Sequence, residues 1–294
     1  MDAKLMFVHA LSPLHAGTGQ GVGVIDLPIA REKATQIPFL PGSTLKGVFR
    51  DACSDDEKCI RVFGPKTTNA DDHAGAVVFT DARLLLLPVR SLKGVFAWVT
   101  SPLMLRRLAR DAENVQGLPL LPEQNLSVGE NACLVSDEGC ALKMTLDGAE
   151  KAILEDLPLA VDGSAEVKAW AVWLGKMLFP NDEAEDDKAW RAALNARLCI
   201  VPDDTLSFLL ETATEITARI RIEDDKKTVA QGALWYEEAL PAETILAGLV
   251  LAATVKASPQ EVFDTVRSLS EGKTFQFGGN ATVGRGLCKA TMIG

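Results

Sequence analysis

The stretch TEITARIRIEDDKKTVAQGALWYEE, residues 214–238, leaves little freedom in what it can become. Ile216, Ala218, Ile220 and Ile222 alternate with Thr217, Arg219, Arg221 and Glu223, a period of two that suits a strand and no helix. The polar run EDDKK turns that strand back into a second one. The segment therefore predicts a β-hairpin with Arg219 and Arg221 together on its outer face.

The elements around it have a readable order. KLMFVHAL (4–11) is apolar almost throughout and reads as a buried strand, and GSTLKGVFRDAC reads as a helix with Ser43 as N-cap and Leu45, Val48, Phe49 and Ala52 on one face. AVVFTDARLLLLPV and GVFAWVT read as strands, and SPLMLRRLARD as a helix opened by a Ser-Pro pair. After the hairpin, SPQEVFDTVRSLSEG carries Ser258 and Glu261 at capping-box spacing, then a strand, the loop FGGNATVGRG and a last strand follow. Strand, loop, helix, strand at the start and strand, helix, strand at the end match two halves of a ferredoxin-like βαββαβ sheet. The fold class is α+β, with the middle inserted. The segments read as 1–114, 115–200 (short strands and helices around EVKAWAVWLGKML and DDKAWRAALNARL) and 201–294, with the hairpin at about 214–238.

Composition excludes several classes. With 47% hydrophobic and 24% charged residues, the chain can bury a core and is not disordered. Its longest apolar run, ILAGLVLAATV, is about half of the roughly 20 residues that a bilayer span needs. The N-terminus lacks a signal-peptide pattern, so the expected location is cytoplasmic, with no membrane partner. Six cysteines without a CxxC pair, and three histidines, make no persuasive zinc site; the expectation is free, partly buried thiols. The net charge of −10 argues against nucleic acid until its distribution is considered. Arg31 to Arg50 holds four basic residues and one acid, Arg83 to Arg110 six and none, while NDEAEDDK at 181–188 holds five acids and one lysine. An acidic body with basic stripes suits a protein that grips one polyanion in one groove. On charge alone, solvated faces account for it equally well.

Two glycine-rich loops remain. GTGQGVG and GGNATVGRG match neither GxxxxGK[ST] nor GxGxxG in register, which argues against a nucleotide-dependent enzyme of small molecules. Gly278 and Gly279 could let backbone amides approach phosphates, with Arg285 as a fixed cation nearby.

The blocks LSPLHAGTG…DLPIAREKATQIPFLPGSTLKGVFR, FTDARLLLLPVRSLKGVFAWVTSP, LWYEEALPAET and FGGNATVGRG, in that order over nearly the whole chain, resemble the RAMP superfamily of CRISPR proteins, and within it the backbone subunits of the Cmr (type III-B) effector complex. The resemblance implies a modified RNA-recognition-motif palm with the hairpin as a thumb. It implies copies stacked along a CRISPR RNA beside other Cmr subunits, each thumb displacing a base of the guide–target duplex and each copy cutting target RNA in a metal-dependent reaction. The aspartate that the family carries in its first long loop falls on Asp26. Residue by residue, Ser43, Lys46 and Arg50 on one helix, and Arg219, Arg221 and Arg285, are then candidates for RNA phosphates.

Asp26 sits in an apolar run, VIDLPI, where a carboxylate beside a phosphodiester costs affinity unless it recruits something. A weakly held divalent ion, Mg or Mn, bound by Asp26 and RNA oxygens, would supply the compensation. His15 in the same loop is a candidate proton carrier, and Tyr236, Glu237 and Glu238 could complete the site. The alternatives are an Asp that ties its own turn before Pro28, and a subunit that binds RNA without cutting it.

Overall fold

The computed structural model describes residues 1–17, 25–65, 72–223, 225 and 229–294, with backbone alone at 229–232. The loop GTGQGVG from Thr18 onward and most of the EDDKK turn lie outside the described residues. The first part of the chain runs β1 (Asp2–Ala10), β2 (Phe39–Leu40), α1 (Gly42–Asp51), α2 (Asp56–Phe63), β3 (Val77–Phe79), β4 (Ala82–Arg90), β5 (Phe96–Thr100) and α3 (Pro102–Ala112). The middle runs β6 (Ala132–Ser136), β7 (Met144–Leu146), β8 (Ala149–Leu154), β9 (Leu157–Ser164), α4 (Ala165–Leu178), α5 (Glu185–Arg197) and β10 (Leu198–Ile200). The last part runs α6 (Asp203–Thr212), β11 (Glu215–Ile222), β12 (Val229–Ala239), β13 (Ile245–Ala252), α7 (Pro259–Ser270), β14 (Thr274–Gln276) and β15 (Leu287–Ile293).

Within the large sheet the order β15-β1-β13-β4 is antiparallel throughout. Numbered as a βαββαβ unit this is 4-1-3-2, the ferredoxin-like arrangement that the order of elements predicts. Among the described residues the middle segment extends the same sheet through β5, β10, β6, β9, β8 and β7. The junction is β4, whose Arg83 to Leu86 pair with β13 and whose Leu87 to Arg90 pair with β5. Pro88 falls in the second half, where only β5 is bonded, so its missing N–H interrupts no ladder. Both faces of β4 are covered, which is why LLLLPV is buried without alternation.

The helix starts differ from the local reading. Ser43 does not cap α1: the N-cap is Pro41, Ser43 is exposed in the first turn, and the Gly42 amide donates to the Asp81 carboxylate at 2.8 Å. Ala52 lies past the helix end and is exposed, so the buried stripe is Leu45 and Phe49 with Val48 at its margin. Ser101 likewise makes no side-chain cap; Asp203 accepts from the Leu103 amide at 3.0 Å. Ser258 does cap α7, but Glu261 turns away from the box to bind Arg61 of α2 at 2.8 and 3.0 Å.

The expectation of free thiols fails at one pair. Cys53, just after α1, is bonded to Cys59 in α2, with their Cα atoms 6.0 Å apart; Cys133, Cys140, Cys199 and Cys288 are free. Burial pushes the Cys288 thiol up to about 12, so it stays protonated and inert. Closing so short a loop removes about 2 kcal/mol of unfolded-chain freedom. Cys53→Ser should therefore lower the denaturant-unfolding free energy by roughly that amount in oxidising buffer and by almost nothing under dithiothreitol.

Candidate active site and RNA-facing surfaces

The loop that carries Asp26 is fastened along β12. Leu27 donates to the Tyr236 carbonyl at 3.1 Å and accepts from the Glu238 amide at 3.0 Å, so residues 27–29 run beside β12 like a third strand. The buried Glu238 carboxylate completes the attachment, accepting from the Ile29 amide at 3.1 Å and from Arg31 at 2.5 Å. Arg31 also donates to the carbonyls of Leu210 in α6 and of Gln36. These bonds satisfy the Leu27 and Ile29 amides and the Arg31 guanidinium as they leave water, which favours one conformation of the segment.

Asp26 itself is exposed. Its Oδ2 accepts from the Tyr236 amide at 2.8 Å. The partner belongs to β12, not to the aspartate's own turn. The bond orients the carboxylate, and Oδ1 has no hydrogen-bond partner among the described residues. Among the described residues no group of three or more metal-ligating side chains forms a cage. The residues therefore fit an ion held once by Asp26 and otherwise by RNA oxygens and water, and no tighter site.

His15 is buried, and its Nδ1 lies 2.6 Å from the Glu238 carbonyl. A carbonyl can only accept, so Nδ1 carries the proton and Nε2 of the neutral ring is the acceptor. Nε2 points over Gly17, where a Cβ would come within 2.6 Å of it. Gly278, at φ +74°, packs on the backbone of the same histidine: a Cβ there would lie 2.2 Å from the His15 carbonyl, which accepts from the Gly279 amide at 2.9 Å. The cavity beside this ring, of about 410 Å³, is bounded by Leu27, Pro28, Thr44, Val48, Gln276 and Gly278. Thr44 and Gln276, neither singled out by the sequence, thus line the same cavity as His15.

The candidate RNA-binding cations divide. Lys46 and Arg50 have no ion pair among the described residues, and burial, with Arg50 close by, pushes the Lys46 ammonium's pKa down. They project from the side of α1 away from Thr44 and Val48, so they are not beside the His15 cavity; Lys46 reaches over Gly75. The start of α1 is not an open anion site, because Asp81 takes the Gly42 amide and the Pro41 carbonyl takes those of Thr44 and Leu45. Arg285 is turned inward, donating to Thr217 at 3.0 Å and lying 3.8 Å from Glu215, whose pKa burial raises.

Amphipathicity of the hairpin is inverted relative to the outer-face expectation. Arg219 turns toward the palm and meets Glu237 at 3.2 Å, whereas Arg221 further along is exposed. Glu237 also accepts from Trp235 and from Asn280, both at 2.9 Å; burial raises its pKa, but the Trp235 bond and Arg219 outweigh it and the net shift is downward. The exposed face is the apolar one: Ile216, Ile220, Ile222, Leu234 and Tyr236 are 38–54% exposed. It stands directly beside Asp26, through Tyr236.

Comparison with known proteins agrees with this layout. The family model of the RAMP superfamily matches residues 7–289. The chain is 38% identical to the CRISPR system Cmr endoribonuclease Cmr4 of Pyrococcus furiosus over 302 residues, covering 99% of this chain and 96% of that one. It is 24% identical over 304 residues to the CRISPR system CMR subunit Cmr4 of Saccharolobus solfataricus, with the same coverages. Its structure superposes on oligomeric Cmr4 of P. furiosus with a TM-score of 0.72 at 30% identity, covering 100% of this chain and 98% of that chain. These matches, with the 4-1-3-2 palm and its hairpin, place the chain: it belongs to the RAMP superfamily of CRISPR proteins, in the group that contains the Cmr4 subunits.

Proposed function

We propose that this subunit stacks in several copies along a CRISPR RNA, with other Cmr subunits, and cuts the paired target RNA at Asp26. The observation that carries the reading is the placement of Asp26: exposed, oriented by the Tyr236 amide, and adjacent to an apolar hairpin face. The P. furiosus relative is described as an endoribonuclease and another of its structures as oligomeric, which supports both halves. A largely apolar wedge of Ile220, Leu234 and Tyr236 can displace a base, and the two aliphatic side chains make no hydrogen bond that would select its identity. The displaced nucleotide frees its backbone to rotate until the 2′-oxygen lines up with the adjacent phosphorus.

The 2′-oxygen then gives up its proton and bonds to phosphorus as the bond to the 5′-oxygen breaks; that oxygen takes a proton from water, leaving a cyclic phosphate and a 5′-hydroxyl. Nε2 of His15, the ring nitrogen that does not face the Glu238 carbonyl, is the candidate acceptor of the 2′-hydroxyl proton. A divalent ion on the free oxygen of Asp26 would supply positive charge at the scissile phosphate. Lys46 and Arg50, across α1 from this cavity, suit guide phosphates, which keeps the strand that is held apart from the strand that is cut. The internal bonds of Arg219 and Arg285 assign them to bracing the thumb, and Arg221 to RNA backbone.

In the assembled complex, Asp26→Asn should bind target RNA with unchanged affinity and cut it at least about 100-fold more slowly. Cleavage that persists would leave a subunit that only binds. Chelation of divalent ions should abolish cleavage by the native complex while target binding survives. Lys46→Met removes a half-buried ammonium that repels Arg50. It should raise the melting temperature of the free subunit while weakening guide binding and lowering the salt slope by about one ion.

A further inference from the structure

The turn between β4 and β5 holds its apolar side chains out at an energetic cost. Leu92 is 69% and Val95 77% exposed, and Val95 adopts φ +74°, a conformation that β-branched residues avoid. The tip is nevertheless fixed: Arg197 donates to the Gly94 carbonyl at 2.9 Å, Leu92 to the Ile153 carbonyl and Ser91 to the Val95 carbonyl. Between the two apolar residues lies the exposed Lys93, and the neighbouring β8–β9 turn presents Asp156. A rigid knob is thus built from two aliphatic groups, one cation and one anion.

A complementary hollow lies between the palm and α4–α5. It has a volume of about 620 Å³, of the size that takes several side chains. Its wall is an aromatic cluster: Phe179 stacks on Trp190 at 5.8 Å, with His9 edge-on to both at 6.0 and 6.1 Å. His9 is held there by Glu243 at 2.7 Å, and Leu11, 40% exposed, extends the apolar lining. One rim carries Asp186 and Asp187, the opposite rim Lys273 and Lys289. Arg267 and Glu271 also border it and offset one another. Among the described residues Lys93, Asp156, Asp186, Lys273 and Lys289 have no ion pair within the chain.

We infer that the knob of one copy seats in the aromatic hollow of the next, with Leu92 and Val95 on the apolar wall, Lys93 between Trp190 and the Asp186 rim, and Asp156 toward Lys273 and Lys289. The two-signed knob matches the two-signed rim, and a lysine over a tryptophan face gains from the ring's quadrupole. Knob and hollow are different surfaces, so the contact is head-to-tail, and it extends into an array where RNA holds successive copies in one direction. This inference rests on the reading that copies stack on RNA and names the surface by which they touch.

Two variants test it. The knob variant Lys93→Glu/Val95→Asn relaxes the backbone, since asparagine tolerates positive φ, so its melting temperature should equal or exceed that of the native chain. The hollow variant is Leu11→Asp/Asp186→Lys. By sedimentation on single-stranded RNA long enough for several copies, each variant alone should bind the first copy normally and lose about tenfold or more in the addition of the next. An equimolar mixture of the two should form heterodimers and nothing longer, because one intact knob meets one intact hollow. Native-like arrays from either variant alone, or a mixture that stays monomeric, would overturn the contact. If the native chain forms no arrays on RNA, the stacking reading fails; self-association without RNA that both variants abolish would still uphold the knob-and-hollow contact. A native chain that is monomeric with and without RNA overturns both.

Discussion

The buried carboxylate of Glu238 is the constraint on which the site depends. It neutralises Arg31, takes the Ile29 amide, and belongs to the residue whose backbone holds both Leu27 and His15. One residue of β12 thereby fixes the loop of Asp26 and the anchor to α6 through its carboxylate, and the tautomer of His15 through its carbonyl. A charge pair so far from water gains little net stability, since desolvation cancels much of the attraction, but removing one partner leaves an uncompensated charge at a cost of about 3–5 kcal/mol. Its effect is to make one loop conformation far better than its alternatives.

The same logic changes the meaning of the basic stripes. Arg107 forms a two-pronged pair with Glu32 at 2.6 and 2.8 Å, and Arg83 pairs with Asp111. Arg31, Arg83 and Arg107 thus tie elements together, and Glu32 is held below the ordinary carboxylate range chiefly by Arg107. Of the candidate RNA-binding cations, Lys46, Arg50 and Arg221 are left open, whereas Arg219 and Arg285 are engaged within the chain. An acidic chain whose open cations stand at set positions selects a polyanion by position more than by net attraction.

The palm was legible because hydrophobic period and element order are global features. Strands such as KLMFVHAL and the hairpin of period two fix the element types, and their order with the helices points to the class. Local capping was less legible: Ser43 and Ser101 have the right chemistry, yet Asp81 and Asp203, 38 and 102 positions further along, do the work, and proximity of that kind is not written in a window of residues. α6 was missed because DDTLSFLLET is short and adjoins the hairpin's stronger pattern. Alternation located two faces of the thumb but could not say which one faces the palm. The usual rule, apolar inward, would also have been wrong here, because Glu237, Trp235 and Asn280 make a polar socket that the arginine face fills. The disulfide was hidden for a different reason, since spacing alone does not bring two helices together.

The most direct test of this account is hydrogen exchange of the loop in a Glu238→Ala chain. If Glu238 holds Asp26 in place, the amides of Leu27 and Ile29 should exchange at least about 100-fold faster while those of β1 and β13 stay protected, as expected for the loss of a few kcal/mol confined to one segment. Unchanged protection at Leu27 and Ile29 would contradict it, and would mean that the loop is held by its own apolar contacts without the carboxylate.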